Sequence, residues 1–534
     1  MGTMARQEGL NPTAAEISKT PKLCDSASVV AGNNGHKEDI PGRTHEPFSL
    51  VKTDDLGHFL ESKVVPFLDN GLTAEHIQDV IPATNFQALS ISENLRYPPG
   101  RYPHWIFDLP ASVDFARLEQ ACKNLVNHFD ILRSVFVPAE AEGDNVDLHG
   151  KFWQVILREV TPAYDTVDAR GTNDLSQLIN EMGAEGLTRA CKLGQSFIRF
   201  MAIKHTPSSS GSSSHKLVFR ISNAYLDGFS WSKILHTLSS FYLGESQRAI
   251  PLQPSPDTPS FADYIAFRES RKQEDLSYWR NRLQRQGYPL NMHRKLIINS
   301  ENINISWPLS DHLSLRHAIP LPSWGQQDGI SPATRFYASF AFALSRFFGT
   351  YNLFFGRLAT GRSALPASLQ NVVGPTVTEL PVTIWASGGV GAMAKKLQEQ
   401  FVEESKYESV GMREIIEGAT EWEYGRDWGW RTAYEQEDDT EFGTGTCNGN
   451  EEADEGEGDG LFGGGGIEFC KGEMQTRARP EVYATPDRKN GMLVLKFEGS
   501  KMWAKRMAID VEGVKRFLVV LGLVLGGDTG PHVR

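Results

Sequence analysis

The chain has 534 residues, 40% of them hydrophobic and 10% aromatic; one core rarely grows past about 250–300 residues, so two globular units are expected. Its formal net charge of −12 is local, because eleven Asp and Glu and no Lys or Arg fall between Glu435 and Gly460. The rest is nearly neutral, with no basic stripe for nucleic acid or anionic lipid, and no apolar run approaches the roughly 20 residues that span a bilayer.

Residues 1–46 are polar, Gly-rich and aperiodic, and read as a disordered tail. They lack an apolar signal core, so export is not expected. The five cysteines (Cys24, Cys122, Cys191, Cys447, Cys470) show neither CxxC spacing nor a His at ligand spacing. That argues against a metal site or a disulfide framework and fits a reducing cytoplasm, with Cys122 and Cys191 as small core residues.

A short helical pattern from Leu56 leads into DVIPATNFQALSI (Asp79 to Ile91), and HWIFDL (His104 to Leu109) reads as a strand. Asp114 caps a predicted helix carrying Phe115, Leu118, Cys122, Leu125 and Phe129 on one face. Strands are predicted over Ile131–Val137, Phe152–Leu157, Ser196–His205 and His215–Ser222, the last two joined by a Ser/Gly-rich loop. Ser230 is expected to cap a helix bearing Trp231, Ile234, Leu235, Leu238 and Tyr242, which Gly244 stops.

The Pro-rich stretch Ile250 to Phe261 is the candidate boundary, giving units of 47–250 and 251–525. In the second unit a helix follows Phe261, and Ser331-Pro332 opens another that runs to Phe348. Strands Asn352–Arg362 and Glu379–Ile384 precede a helix around Ala392–Glu404, and strand Met492–Ser500 precedes a closing helix. The acidic, Gly-rich stretch 435–466 reads as a solvated loop. Strands alternating with helices in both units imply a two-lobed α/β architecture.

RISNAYLDGFSW (Arg220 to Trp231) joins an apolar strand to a helix. A polar group at such a strand end can project into a cleft. Asp227-Gly228 can turn the chain, with glycine permitting an unusual backbone angle and the aspartate anchoring the loop through an arginine. Asp-Gly is equally an ordinary turn signal. The turn resembles the HHxxxDG motif of the condensation domains of nonribosomal peptide synthetases, most closely the fungal terminal form, SHxxxDG. VNHFDILRSVF (Val126 to Phe136), SYWRNRL (Ser277 to Leu283), FFGRLATGRSALPASLQNVVGPTVTELPV (Phe354 to Val382) and PATNFQALSI resemble further motifs of that family, and they occur in its order. PFSL (Pro47 to Leu50) is similar to the sequence that trails a carrier domain in fungal synthetases, which implies a freestanding descendant of a terminal domain.

The resemblance implies two chloramphenicol-acetyltransferase-like lobes in a V-shaped pseudo-dimer with a central tunnel. It also implies a thioester donor on a carrier protein or CoA, an amine or alcohol acceptor, and no cofactor or metal. Carried over, Ser222 stands at the first histidine, Asn223 at the second, and Asp227 and Gly228 at the aspartate and glycine. Asn223 departs from the pattern: an amide nitrogen accepts no proton near neutral pH, and losing a good base typically costs about 10²–10⁴ in rate. Its carbonyl oxygen still accepts a hydrogen bond, so it can position a nucleophile. The family's Asn in the VGPTVTELPV stretch is Thr378 here, and its Arg two residues after Pro381 is Thr383. His128 is the first candidate for a substitute base, ahead of His104, His205 and His215 at strand or loop ends, although the helix phase places it near Phe129, where a surface or capping role suits it better.

Asp227 needs a cation if buried, and Arg133, Arg357 and Arg362 are the candidates, all in matched motifs. Tyr278-Trp279-Arg280 is read as packing the interface between lobes. Phe336, Tyr337, Phe340, Phe342, Phe354 and Phe355 are read as core, with one or two of them as alternative tunnel-lining residues. The leading expectation is an acyltransferase that forms an amide or ester in secondary-metabolite assembly. The rival is a silent condensation-fold module that docks a carrier protein or recruits a tailoring enzyme. A different reaction in the same tunnel, cyclisation or dehydration, is the third.

Overall fold

Two six-stranded sheets, each with helices packed on it, absorb the apolar runs of the sequence. The computed structural model describes residues 45–69, 71–96, 104–142, 145–146, 151–169, 192–205, 215–244, 259–284, 312–324, 329–422, 430–435, 445–447, 467–470, 480–500 and 509–527. Cys24, Cys191, the Ser/Gly tract and most of the Pro-rich boundary lie outside the described residues.

The first part of the chain contains β1 (Ile77–Pro82), α1 (Asn85–Arg96), β2 (His104–Leu109), α2 (Phe115–His128), β3 (Ser134–Pro138), β4 (Phe152–Leu157), β5 (Ala163–Asp168), β6 (Ile198–Lys204), β7 (His215–Ile221) and α3 (Gly228–Leu243). After them come α4 (Phe261–Gln284), β8 (His312–Pro320), α5 (Pro332–Phe348), β9 (Asn352–Ala359), β10 (Thr378–Trp385), α6 (Gly389–Glu404), α7 (Met412–Ala419) and β11 (Arg431–Tyr434). The chain closes with β12 (Gly445–Cys447), β13 (Ile467–Cys470), β14 (Glu481–Asp487), β15 (Met492–Ser500) and α8 (Val511–Leu525). One sheet has the order β12-β13-β2-β7-β6-β5 and the other β8-β15-β14-β11-β9-β10; β1, β4 and β3 form a separate three-stranded sheet.

β7 packs apolar residues on both of its faces. Leu217, Phe219 and Ile221 enter the core that α2 and α3 cover, while Val218 packs on the opposite face with Ile106, Met201 and Ile203. That opposite face also carries Lys216, which pairs with Asp108 at 2.6 Å, and the buried Arg220. α2 begins where the Asp114 carboxylate accepts the N–H groups of Ala116 and Arg117, and its apolar stripe, Leu118, Cys122 and Leu125, is fully buried. α5 begins at Ser331, whose hydroxyl accepts the Thr334 N–H, with Pro332 at the first helical position. Phe336, Tyr337, Phe340, Phe342, Phe354 and Phe355 all fill the second core.

Four local expectations are corrected. The cap of α3 is Asp227, not Ser230: the Asp227 carboxylate accepts the Ser230 N–H, and Ser230 is already inside the helix. The strand expected from Ile131 starts at Ser134, because Ile131–Arg133 form a 3-10 turn whose first N–H is taken by Asp130. His45, placed in the tail, is buried against Asp79. The acidic stretch is not loop throughout. It contains β12, and β13 just beyond it pairs antiparallel with β2, adding two strands from late in the chain to the first sheet.

The segment between β9 and β10 crosses the other way. Leu365, Leu369, Val372 and Val373 belong to the core built by β2, β6, β7, α2 and α3. Phe261, Tyr264 and Ile265 of α4 join the same core. This exchange brings the loop after β9 against the turn after β7.

Burial pushes the Cys122 thiol well above its ordinary range, with Glu119 adding to the effect. The thiolate is the reactive form, so Cys122 should resist iodoacetamide at pH 8 in the native protein and alkylate once urea unfolds it, as read by peptide mass mapping.

Candidate functional site

The turn after β7 is fixed from beneath by buried polar groups. Ser222 is buried, and its hydroxyl accepts the Ala224 N–H at 3.1 Å, while its carbonyl accepts the Tyr225 N–H at 3.0 Å. The Tyr225 hydroxyl donates to the Ser134 carbonyl at 2.9 Å and accepts the Phe197 N–H at 3.1 Å. Gln87 of α1, fully buried, donates its amide to the Ala224 carbonyl at 2.9 Å and to Gln154 at 2.8 Å. Ser222, Tyr225 and Gln87 are thus each partnered, as the low-dielectric interior requires. Between Ser222 and Asp227 every residue is buried except Asn223. Its side chain takes no protein hydrogen bond among the described residues.

Asp227 ends the turn as a saturated carboxylate. Oδ1 accepts the Ser230 N–H at 2.9 Å and the Ser230 hydroxyl at 2.7 Å. Oδ2 accepts the Thr376 N–H at 3.1 Å and the Thr376 hydroxyl at 3.0 Å. Arg362 completes the site, its Nη2 3.1 Å from Oδ2 and 3.3 Å from Oδ1. Of the three candidate arginines, Arg362 is therefore the partner. Arg133 turns instead to Gln78 and to the carbonyls of Leu157 and Arg158. Arg357 lies between Glu404 and Glu408, at 3.5 and 3.7 Å.

Arg362 is itself oriented by the carbonyls of Gln370 and Val372, each 3.1 Å from Nη1. Its guanidinium lies 4.1 Å from the ring centroid of Phe229, and the Lys233 ammonium lies 4.8 Å from the same ring. Burial, with Arg362 nearby, lowers the Lys233 ammonium to about 8, and Asp227 opposes the shift. Gly361 precedes the arginine with φ at +67°, and a Cβ there would stand 1.9 Å from the Thr376 carbonyl oxygen. That close approach is what a side-chain-free residue permits. Gly228 is different: it is exposed and begins α3 without a positive φ, so the unusual backbone angle expected of it is absent.

The remaining candidates lie elsewhere. His128 is buried at the end of α2, edge-on to Phe129 and Phe241 at 4.7 and 5.6 Å, not on the surface. Tyr278 stacks on Tyr407 at 3.9 Å, Trp279 donates to the Tyr407 carbonyl, and Arg280 donates to the Gly418 carbonyl. These three pack α4 onto α7 and the turn before it, within the second part of the chain, and not between lobes. The Thr378 hydroxyl donates to the Val410 carbonyl. Thr383 lines a surface cavity of about 320 Å³ with Arg282, Trp385, Lys396 and Gln400, to which the turn contributes nothing. Among the described residues no group of three or more His, Cys, Asp or Glu is placed to hold a metal ion, and no helix is long and apolar enough to cross a membrane.

Gln87, Tyr225 and Thr376 were not singled out from the sequence. Gln87 and Thr376 sit inside quoted motifs, PATNFQALSI and VGPTVTELPV, so the signal was present. Tyr225 falls in the unspecified middle of the turn and had none.

A strand-end turn is thus clamped to a helix N-terminus by a distant arginine on a two-sheet α/β body. A family model for the condensation domain matches residues 77–426. The nonribosomal peptide synthetase ungA' of Aspergillus campestris is 32% identical over 79% of the chain, and the cyclosporin synthetase simA of Tolypocladium inflatum is 26% identical over 78%. The chain spans only 4% and 3% of those two proteins. The crystal structure of holo T3CT superposes with a TM-score of 0.64 at 18% identity, covering 90% of this chain and 99% of that one. The condensation domain of the Monacolin K polyketide synthase MokA gives 0.57 at 14% identity, covering 84% and 97%. The chain belongs to the condensation-domain family, and its fold is that of the family.

Removing one member of a buried pair strands the other. Asp227→Ala should therefore cost about 3 kcal/mol in urea unfolding, and Asp227→Ala combined with Arg362→Met should cost clearly less than the two single changes summed. A second test concerns Glu404. Burial raises its carboxyl from an ordinary 4.5 to about 7, against the pull of Arg357 and Arg282. A folded value above the unfolded one gives stability that is present below about 4.5 and lost as pH rises through 7. Glu404→Gln should flatten that part of the decline, narrowing the difference between melting temperatures at pH 4.5 and pH 7.5.

Proposed function

We propose that the protein is a condensation-type acyltransferase of secondary-metabolite assembly, working in the cytoplasm. It joins an acyl group held as a carrier-protein or CoA thioester to an amine or alcohol. The observation that carries this reading is the single exposed side chain of the turn, Asn223, held on a backbone that Asp227, Arg362, Gln87 and Tyr225 immobilise.

The chemistry asked of Asn223 is modest. Its carbonyl oxygen accepts a hydrogen bond from the N–H or O–H of the acceptor and aims the lone pair at the thioester carbon. The new C–N or C–O bond forms, the C–S bond breaks, and the proton leaves with the thiol or through water. An amine is nucleophilic without full deprotonation, so positioning is the larger need, and fixed geometry alone is worth several kcal/mol of barrier. Ser222 and Asp227 act through the backbone they hold, and Gly228 starts the helix that Asp227 caps. The lobed, tunnelled architecture with units at 47–250 and 251–525 is part of the same proposal.

The rival reading, a silent module that docks a carrier protein or a tailoring enzyme, is favoured by one observation: the amide at 223 cannot serve as a base. Purified protein supplied with acyl-thioester donors and a panel of amines and alcohols decides between them. Product above background is expected. Asn223→Ala should lower turnover about 2- to 10-fold, the worth of one hydrogen bond, with an unchanged melting temperature because the side chain is exposed. Asn223→His should raise turnover by up to about 10². No product from either the natural chain or the histidine variant favours the silent module, and an unaltered rate in Asn223→Ala removes the turn from the chemistry.

A further inference from the structure

A second constellation lies away from this turn, where the chain enters the fold. His45 is buried, and its Nε2 lies 2.6 Å from Asp79 Oδ2. Its other ring nitrogen, Nδ1, lies 3.2 Å from the hydroxyl of Ser49, which is exposed. Asp79 is held in turn: its Oδ1 accepts the Phe48 N–H at 2.6 Å and the Val80 N–H at 2.7 Å. The backbone N–H of His45 donates to Asp263 at 3.3 Å, fixing the imidazole from α4.

A carboxylate only accepts hydrogen bonds, so Asp79 fixes the proton on Nε2 and leaves the Nδ1 lone pair facing Ser49. That is the order nucleophile, base, orienting acid which activates a serine, with the two ring nitrogens in exchanged roles. Two backbone features accompany it. Phe48, directly before the serine, has φ at +65°, the one non-glycine residue with positive φ among those described. A bulky residue held in that region is strained, and such strain clusters at functional sites. The N–H of Leu50, directly after the serine, has no hydrogen-bond partner among the described residues. The residue after a nucleophile is where a donor to a developing oxyanion is used.

We propose that Ser49, His45 and Asp79 form a serine-type acyl-hydrolase site that takes small, unhindered acyl esters or thioesters. Ser49 Oγ attacks the acyl carbon and its proton passes to His45 Nδ1. The C–O or C–S bond to the leaving group breaks, and the leaving group takes that proton. A water molecule, deprotonated by the same nitrogen, then attacks the seryl ester, freeing the carboxylic acid and returning the proton to Ser49. The Ser49 side chain is exposed among the described residues, so a short, unhindered acyl group such as acetyl reaches it. The site shares no residue with the turn at Asn223 and does not rest on the reading given to that turn.

The test uses the full chain. A fluorophosphonate probe, followed by digestion and mass mapping, should place an adduct on Ser49, and p-nitrophenyl acetate and phenyl thioacetate report oxoester and thioester hydrolysis separately. Ser49→Ala should abolish the adduct and lower hydrolysis by at least about 100-fold, with an unchanged melting temperature, while His45→Gln should lower hydrolysis by about 10²–10⁴. Because His45 is also a buried tether, the exposed Ser49→Ala substitution is the deciding variant. No adduct on Ser49 in the natural chain, or hydrolysis by Ser49→Ala equal to that of the natural chain, overturns the proposal.

Discussion

The pairing of Asp227 with Arg362 is the constraint on which the rest of the site depends. The two residues are 135 positions apart and sit on different sheets' connections, yet both are buried, with the carboxylate oxygens and both Nη groups hydrogen-bonded. An isolated carboxylate at this depth would be costly, and so would an isolated guanidinium. Each therefore fixes the other's loop. Because Asp227 also caps α3 and binds the backbone and hydroxyl of Thr376, one carboxylate sets the end of the turn, the start of a helix and the approach of the loop before β10.

Asn223 acquires its orientation from this arrangement and not from contacts of its own. Its neighbours are drawn inward by Ser222, Tyr225 and Gln87, and the turn closed by the Ser222 carbonyl and the Tyr225 N–H leaves only the Asn223 side chain outside. A histidine at the same place would be presented in the same way. On the proposed reading, the turn offers an amide where the family's motif carries an imidazole, so what it retains is placement and what it forgoes is proton transfer. For an amine acceptor the first matters more than the second.

Much of this was legible in the sequence, and the parts that were not have identifiable causes. β2, β4 and β15 match their predicted bounds because their apolar runs end at clear turn or polar signals. The need of Asp227 for a cation followed from charge burial, but choosing Arg362 over Arg133 and Arg357 required knowing which loop crosses between the sheets. The cap of α3 was misplaced because Asp227 and Ser230 are both good cap residues three positions apart, and only the fold shows that the carboxylate accepts the Ser230 N–H. β13 was missed because a four-residue strand beside an acidic, Gly-rich stretch carries no period; its pairing with β2 is a long-range event. His128 was misjudged because a histidine is as easily packed between rings as hydrated, and periodicity does not separate the two.

The exchange of segments between the two parts of the chain has a further consequence. Leu365, Leu369, Val372 and Val373 complete a core whose other members mostly precede residue 250, and Phe261 and Ile265 do the same from just beyond it. A fragment severed at the Pro-rich stretch would be left with a hole in its interior and an unneutralised aspartate at the mouth of a helix. Evolution could not easily have shuffled such halves as separate cassettes, and shortening the protein from either side would meet resistance long before the turn itself was touched.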